Sequence, residues 1–367
     1  MKSRDRILTA LGNQQPDRVP IFELQIDEPV VLKLAAILGL ADHEHNAVGT
    51  FVHGDESQQV LDLYCRVHEQ LGLDATCTVF SAGIEQIDEQ HGRDKYGCVY
   101  RLSEHGEPIV VEGPIKEPDD LQGYDMASKL SLGDFRGLQQ LMETIGPDKA
   151  HFLALNDPFK ISWMLRGDMS NLMMDMVWRP QFVHDMARVA TDLCLAEIDV
   201  GLKLGVDGIV VEGDLAGETT TLVSPRHYRE YIKPYEAELT DYAHRHGLKI
   251  IKHSDGNVWP ILDDLIEAGF DGFNPVQPQC MDIAKVKAHV AGRLCLVGNI
   301  DCRHLLPFGT VEEVKQNVKE TIAAAAPGGG YIISSSNSIH PGCQPENYIA
   351  MIQAAHKYGS YPLAAGE

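Results

Sequence analysis

The sequence lacks the features that mark secreted, membrane-spanning and nucleic-acid-binding proteins. Its eight cysteines include no Cys-x-x-Cys pair, and its first residues lack the apolar stretch of a signal peptide. No window approaches the roughly 18 consecutive apolar residues of a membrane span. The formal charge is −22, from 31 basic and 53 acidic residues, and no basic run offsets it. We therefore expect a soluble cytoplasmic protein with mostly buried thiols, which binds neither nucleic acid nor membrane.

Motifs of nucleotide-binding proteins and serine hydrolases are also missing. No Gly-x-Gly-x-x-Gly follows a strand, and no Gly-Lys-Ser/Thr loop or Gly-x-Ser-x-Gly elbow occurs. The three glycines at residues 328–330 precede a strand and not a helix, so they indicate a connector. Nucleotide chemistry is disfavoured.

Eight short runs of aliphatic and β-branched residues predict eight strands. Helical patterns separate them from the third run onward, as in the apolar stripe at residues 181–205. Gly-x-Asp recurs at residues 72–74, 205–207 and 269–271, each time where a helix gives way to a strand. The runs lie at residues 18–24, 75–80, 151–155, 208–214, 249–253, 272–276, 294–301 and 331–335.

Strands that alternate with helices pair in parallel, and a count of eight favours the closed (β/α)8 TIM barrel. A doubly wound open sheet is the structural alternative. Residues 84–123 do not fit the repeat, and they predict a β-hairpin inserted after the second strand. Its strands would lie at residues 96–100 and 108–111, joined through 104–106. We expect one domain over residues 1–367.

In such a barrel the active site lies at the C-terminal ends of the strands and in the loops that follow. Glu212 lies near the end of the fourth strand, His253 ends the fifth, and Asp255 follows two residues later. His-x-Asp spacing puts both side chains on one face of an extended segment, and histidine with carboxylates suits zinc. The alternative is a hydrogen-bonded His–Asp pair that only holds the rim together. Cys343, in the loop before the last helix, could complete a metal site or be a tolerated thiol.

A set of short motifs resembles the uroporphyrinogen decarboxylase superfamily in the same order along essentially the whole chain. The fold of that superfamily is the (β/α)8 barrel, so the resemblance implies the barrel as well. The motifs lie at residues 16–20, 213–216, 224–225, 253–257, 298–301, 305–306, 309–314 and 345–347.

Two branches of the superfamily imply different chemistry. Its decarboxylases need no cofactor and grip substrate carboxylates with an N-terminal arginine pair, whereas residues 21–28 here are acidic and lack arginine. The other branch comprises zinc-dependent methyltransferases that work with corrinoid proteins. Its thiol-methylating members use His-x-Cys and a later Cys, but here Asp255 follows His253 and the later position falls near Asn337. Because an oxygen-rich site suits an oxygen substrate, the chain looks more like the methyltransferase component of O-demethylase systems.

The resemblance thus implies a zinc-dependent methyltransferase that takes methyl from a small, aryl methoxy compound. The acceptor would be a corrinoid carried by a separate protein, since the chain has no Asp-x-His-x-x-Gly motif of corrinoid carriers. Members of the superfamily are monomers or homodimers. A cofactor-free decarboxylase and a non-catalytic barrel that binds a corrinoid or a partner are the alternatives. The residues implied are Glu212, His253 and Asp255 as catalytic residues, the same three with Cys343 as metal ligands, and Asn274, Asn299 and Asn337 as substrate-binding residues.

Overall fold

The computed structural model describes residues 1–40, 55–79, 82–102 and 108–363. The strands in these residues are β1 (Ala75–Val79), β2 (Ile84–Gln86), β3 (His91–Asp94), β4 (Val99–Arg101), β5 (Ile109–Glu112), β6 (Ala150–Asn156), β7 (Gly208–Glu212), β8 (Lys249–His253), β9 (Gly272–Asn274), β10 (Cys295–Ile300) and β11 (Tyr331–Ser335). The α-helices are α1 (Ser3–Leu11), α2 (Glu28–Ile37), α3 (Asp55–Leu71), α4 (Arg136–Ile145), α5 (Pro158–Leu165), α6 (Met169–Trp178), α7 (Pro180–Leu204), α8 (Pro225–Tyr231), α9 (Lys233–Arg245), α10 (Leu262–Ala268), α11 (Ile283–Val290), α12 (Leu305–Phe308), α13 (Val311–Ala325) and α14 (Pro345–Tyr358).

Seven parallel strands form one curled sheet in the order β1-β6-β7-β8-β9-β10-β11. Helices connect them from β6 onward, as expected for parallel pairing. Glu212, the last residue of β7, pairs in register with His253, the last residue of β8. The two strands therefore end side by side, and their following loops begin at the same edge of the sheet.

The segment predicted as the first strand, residues 18–24, is not a strand of this sheet. It touches both edges of the sheet through single parallel bridges, from Ile21 to Ile333 of β11 and from Phe22 to Ala75 of β1. The Phe22 amide donates to the Ile333 carbonyl at 3.1 Å. The aliphatic pattern predicted a full strand here, but the segment makes only these single bridges and no continuous ladder of hydrogen bonds.

The concave side of the sheet is filled by alternate strand residues. Phe152, Val210, Ile251 and Val297 belong to one buried cluster, which helix α1 joins through Ile7, Ala10 and Leu11. Alternation along a strand then puts the residue two positions later on the same side, including Glu212 after Val210 and His253 after Ile251. Apolar side chains thus fill the interior, and polar ones take over where the strands end.

The described residues between 84 and 112 form a second sheet. Its four strands are antiparallel in the order β2-β3-β4-β5, so this region is larger than the single hairpin that the sequence predicts. β4 and β5 pair with each other as that prediction required, but the connecting residues 104–106 lie outside the described residues. Gly113 then packs against the backbone of Leu165 in α5, which ties this sheet to the helical layer.

Within the described ranges, every helix is too short or too polar to cross a membrane. The eight cysteines all lie in these ranges and are unpaired, and six of them are buried. This agrees with the prediction of buried thiols without a disulfide framework.

Candidate metal centre

Three side chains meet beyond the ends of β7 and β8. Asp214, His253 and Asp255 each offer one ligand atom, and these atoms all lie within 4.8 Å of one another. Among the described residues this is the group of His, Cys, Asp and Glu side chains with the spacing of a metal site. His253 ends β8, whereas the two aspartates lie in the loops that follow β7 and β8.

Asp214 reaches this group because the chain passes Asp157 very closely at Gly213. A Cβ at position 213 would lie 2.1 Å from Asp157 Oδ2, so only glycine fits. Asp157 caps helix α5 by accepting a hydrogen bond from the Lys160 amide at 2.6 Å. The close packing brings the β7 loop over the end of the sheet, where Asp214 Oδ1 accepts a hydrogen bond from the Asp255 amide at 2.9 Å.

Hydrogen bonds join the loop after β7 to the loop after β8, which carry the candidate ligands Asp214 and Asp255. Ser254 is fully buried, and its hydroxyl accepts from the Leu215 amide at 2.9 Å. The Asn257 amide donates to the Gly217 carbonyl at 2.8 Å. Gly256 has φ +84°, and a Cβ there would lie 2.5 Å from that same carbonyl oxygen. The sequence Ser254-Asp255-Gly256-Asn257 thus holds the loop after β8 against the loop after β7.

The imidazole of His253 is oriented by Asn274. The amide nitrogen of Asn274 donates to the Val297 carbonyl at 3.1 Å, so its oxygen faces His253 Nδ1 at 2.6 Å. His253 therefore donates through Nδ1, and Nε2 keeps its lone pair for a ligand role. Histidine ligands in metal sites are commonly fixed in this way by a partner on the other ring nitrogen.

Asp255 has one oxygen held and one free. Oδ2 accepts a hydrogen bond from Asn337 Nδ2 at 2.6 Å, whereas Oδ1 is buried and has no hydrogen-bond partner. Burial raises the pKa of Asp255 above its usual range; His253 and the Asn337 hydrogen bond lower it, and the nearby Asp214 carboxylate raises it. A buried carboxylate oxygen without a partner is unfavourable by itself, and a cation would satisfy it.

The donor chemistry fits a divalent metal. Two carboxylates and an imidazole with a free nitrogen are ligands that zinc takes at catalytic sites, where three protein ligands leave a further position open. The buried Asp255 Oδ1 is a second, separate observation in favour of a cation, because it has no hydrogen-bond partner. Fold and site together define a parallel α/β protein with a candidate metal-binding mouth at the carboxyl edge of its sheet.

Of the residues predicted as metal ligands, the structure gathers His253 and Asp255 but adds Asp214 in place of the other two. Glu212 faces the same interior one strand away from His253, and its charge raises the pKa of the half-buried thiol of Cys77, in addition to the larger effect of desolvation. Cys343 lies elsewhere: its thiol is buried and points to the Cys302 carbonyl at 3.7 Å, and burial raises its pKa to about 12. A protonated thiol in that place is a packing residue.

The three predicted substrate-binding asparagines have different surroundings. Asn274 and Asn337 contact the candidate ligands His253 and Asp255 directly. Asn299 is buried, and its amide donates to the Val276 carbonyl at 2.8 Å. Asp214 was missed because the strand pattern drew attention to Glu212; the signal that marks it is the glycine before it, which allows the chain to turn.

Comparison with known proteins gives the family. The family model described as Uroporphyrinogen decarboxylase (URO-D) matches residues 2–358, so the chain belongs to this family. A uroporphyrinogen decarboxylase of Psychromonas ingrahamii is 25% identical over 183 residues, 48% of this chain and 49% of that protein. The chain thus spans about half of that relative. One from Idiomarina loihiensis is 23% identical over 371 residues, 96% of each chain.

Among solved structures, a methyltransferase from Methanosarcina mazei superposes with a TM-score of 0.75 at 21% sequence identity, over 98% of this chain and 99% of that one. At this identity the likeness concerns the fold. Membership of the URO-D family supports an enzyme. The matched relatives are named as decarboxylases, and the structural neighbour is named as a methyltransferase.

Proposed function

We propose that this protein is a zinc-dependent methyltransferase that removes methyl from a small aryl methyl ether and passes it to a corrinoid on a separate protein. The observation that carries the proposal is the group formed by Asp214, His253 and Asp255, in which Asp255 Oδ1 is buried without a partner. A hydrogen-bonded rim, the non-catalytic alternative, would leave no such atom.

In this proposal Asp214 and Asp255 contribute carboxylate oxygens, and His253 contributes Nε2. Zinc, when bound, supplies Lewis-acid stabilisation of the negative charge that develops on the ether oxygen as its bond to the methyl carbon breaks. Asn274 and Asn337 hold two of the ligands in orientation. Glu212 lines the remaining space beside His253, where it faces the substrate.

The charges around the site disfavour a polycarboxylate substrate. The groups that act on the pKa of Asp255 are His253, Asp214 and Asn337, with no lysine or arginine among them. Arg303 is an exposed cation in a neighbouring loop, and its guanidinium is paired with Glu218 at 2.6 Å. Porphyrinogen carboxylates would meet carboxylates here and no bidentate clamp. The decarboxylase is therefore the second candidate, favoured by the family description and the names of the relatives.

We further propose that residues 18–24 close the curled sheet into the full (β/α)8 barrel. The bridges of Ile21 and Phe22 to the two edge strands support this closure. A closed barrel gives the mouth a single opening, through which both the ether and the corrinoid of the carrier protein would have to approach.

Metal content is the first test. Protein purified without chelator is analysed for zinc beside His253→Ala and Asp255→Asn, with Cys343→Ser as the matched control. We expect about one zinc per chain in the wild type and in the control, and loss in the two site variants. Retention of zinc in both site variants, or its loss in Cys343→Ser, would overturn the ligand assignment.

Activity is then assayed in two reactions with the same preparation. The zinc protein is incubated with a panel of methoxylated aromatic compounds and a reduced corrinoid protein, and methylation of the corrinoid is followed by its absorbance. A parallel sample receives uroporphyrinogen. Corrinoid methylation that disappears in Asp255→Asn supports the proposal, whereas zinc-independent decarboxylation would establish the other candidate.

A further inference from the structure

Glu23 is a buried carboxyl group outside the metal centre, with 1% of its surface exposed. It lies between the segment that bridges the two sheet edges and strand β11. Oε1 accepts a hydrogen bond from the Ser335 amide at 2.9 Å, and Oε2 accepts from the hydroxyls of Ser335 at 2.7 Å and Ser334 at 3.1 Å. These contacts hold Glu23 against the last two residues of β11.

The hydroxyl of Ser335 has two acceptors but only one proton. Besides Glu23 Oε2 at 2.7 Å, it lies 2.5 Å from the backbone carbonyl oxygen of Asn337. If Glu23 is ionised, the Ser335 hydroxyl donates its hydrogen bond to the carboxylate. If Glu23 is neutral, its carboxyl group donates a hydrogen bond to the Ser335 oxygen, and the Ser335 hydroxyl donates to the Asn337 carbonyl instead.

Asn337 links the Ser335 hydroxyl to the candidate metal centre. Its side-chain nitrogen donates to Asp255 Oδ2 at 2.6 Å, and it is itself exposed in the loop after β11. The hydrogen bond that the Asn337 backbone carbonyl accepts from the Ser335 hydroxyl helps to fix this exposed residue. Glu23, Ser335, Asn337 and Asp255 thus form one continuous chain of contacts.

We propose that Glu23 is a positioning residue that sets, through the direction of the Ser335 hydroxyl, how firmly Asn337 holds Asp255. Its link to the metal rests on the proposed function, in which Asp255 is a ligand. The link from Glu23 to Asn337 does not, because it consists only of hydrogen bonds within this chain.

The surroundings of Glu23 allow both of its states near neutral pH. Burial raises the pKa of Glu23 to about 7, against the opposing effect of the serine hydrogen bonds. The titratable groups around it are the phenols of Tyr64, Tyr331 and Tyr348 and the thiols of Cys302 and Cys343, all with a pKa raised by burial and therefore neutral. Asn337 is consequently held most firmly below pH 7 and released as the pH rises above it.

The test follows the side-chain amide of Asn337 by NMR in metal-free protein labelled with 15N-asparagine, assigned with Asn337→Ala. We expect its signals to shift with a midpoint near pH 7 in the wild type and to lose that step in Glu23→Gln, which keeps the neutral arrangement at every pH. Ser334→Ala is the matched control, since Ser334 contacts Glu23 but not Asn337. It should keep the step and move it to higher pH.

A second readout measures Co²⁺ affinity by competition with a coloured chelator between about pH 6 and pH 8.5. Loss of a hydrogen bond changes an equilibrium constant about fivefold, so Glu23→Gln should equal the wild type at low pH and bind about fivefold tighter at high pH. An Asn337 step that persists in Glu23→Gln, or parallel affinity profiles of the two proteins, overturns the inference. Failure of the wild type to bind metal would instead remove the proposed function, while the NMR result still decides the contact chain.

Discussion

The ammonium group of Lys252 lies 2.5 Å from Asp157 Oδ2, with both side chains fully buried. Glu236 Oε1 is 3.0 Å from the same ammonium, and Glu236 Oε2 accepts the hydroxyl of Tyr228 at 2.6 Å. Lys252 immediately precedes His253 on β8, so this ion cluster fixes the strand from behind while His253 faces the site. Asp157 also supports the β7 loop at Gly213, and one buried carboxylate therefore stabilises both ligand-bearing segments.

Replacing Lys252 by methionine should destabilise the fold strongly. The substitution leaves Asp157 and Glu236 buried without a cation, and removing one partner of a buried ion pair costs about 3–5 kcal/mol. Urea denaturation followed by circular dichroism measures the change. Lys285→Met is the control, because Lys285 is 77% exposed and 4.0 Å from its partner Asp282. Equal stability of the two variants would contradict a stabilising role for the cluster.

Gly213→Ala should impair metal binding and lower stability. The new methyl group would lie 2.1 Å from Asp157 Oδ2, so either Asp157 or the loop with Asp214 must move. Gly217→Ala, in the same loop, is the matched control because its nearest atom is 3.9 Å away. Zinc content and thermal unfolding of the two variants are compared. If Gly213→Ala retained zinc as well as Gly217→Ala does, Asp214 would not depend on this close approach.

Asn274→Ala should weaken metal binding without removing any ligand. Without the Asn274 oxygen, His253 Nδ1 loses its acceptor and the ring its orientation, and such outer partners are worth about 10–100-fold in metal affinity. Chelator competition gives the affinity. Asn299→Ala also deletes a buried amide but one that bonds to the Val276 carbonyl, and we expect it to lower stability with little change in affinity. The reverse order of effects would show that Asn274 does not position His253.

Glu197 should make the stability of the protein fall with rising pH. This helix α7 residue is buried with a partnerless Oε2, and burial raises its pKa to about 8. Because the folded state keeps the proton longer than the unfolded chain, its contribution is complete below about pH 4.5 and is lost as pH rises through 8.

Glu197→Gln removes that titration. The free energy of unfolding of the variant minus that of the wild type, measured by urea denaturation, should be larger at pH 8 than at pH 5, because only the wild type loses stability as Glu197 ionises. Glu346→Gln, an exposed glutamate on helix α14, serves as the control and should show no such trend. A difference between Glu197→Gln and wild type that stays constant across this range would exclude Glu197 as the group responsible.

The strands of the parallel sheet were predictable because they are buried on both sides and separated by helices with clear apolar stripes. β8 and β11 occupy the predicted residues, and β7 ends two residues earlier than predicted, at Glu212. Because the predicted strand ran on to residue 214, Glu212 was chosen as the candidate ligand. In the structure the strand ends at Glu212 and the chain turns at Gly213, which brings Asp214 to the site. His253 and Asp255 were identified because His253 ends β8 and Asp255 follows it two residues later.

The remainder of the site could not be derived from local pattern. Asp255 meets Asn337 across 82 positions of sequence, and Leu215 meets Ser254 across 39. Such contacts depend on how loops pack above a finished sheet, and no periodicity records them. For the same reason the sequence did not reveal the orientation of Cys343. Its loop precedes the last helix, but its thiol points to the Cys302 carbonyl and not to the candidate metal centre.

The three candidate ligands all come from residues 214–255, within two consecutive strand–loop units. The loops after β1, β6 and β10 contribute none of them. In the proposed function, the ion ligands and the substrate contacts would therefore lie on different loops of the mouth. Changes in those other loops would then alter which substrate fits without replacing any of the three candidate ligands.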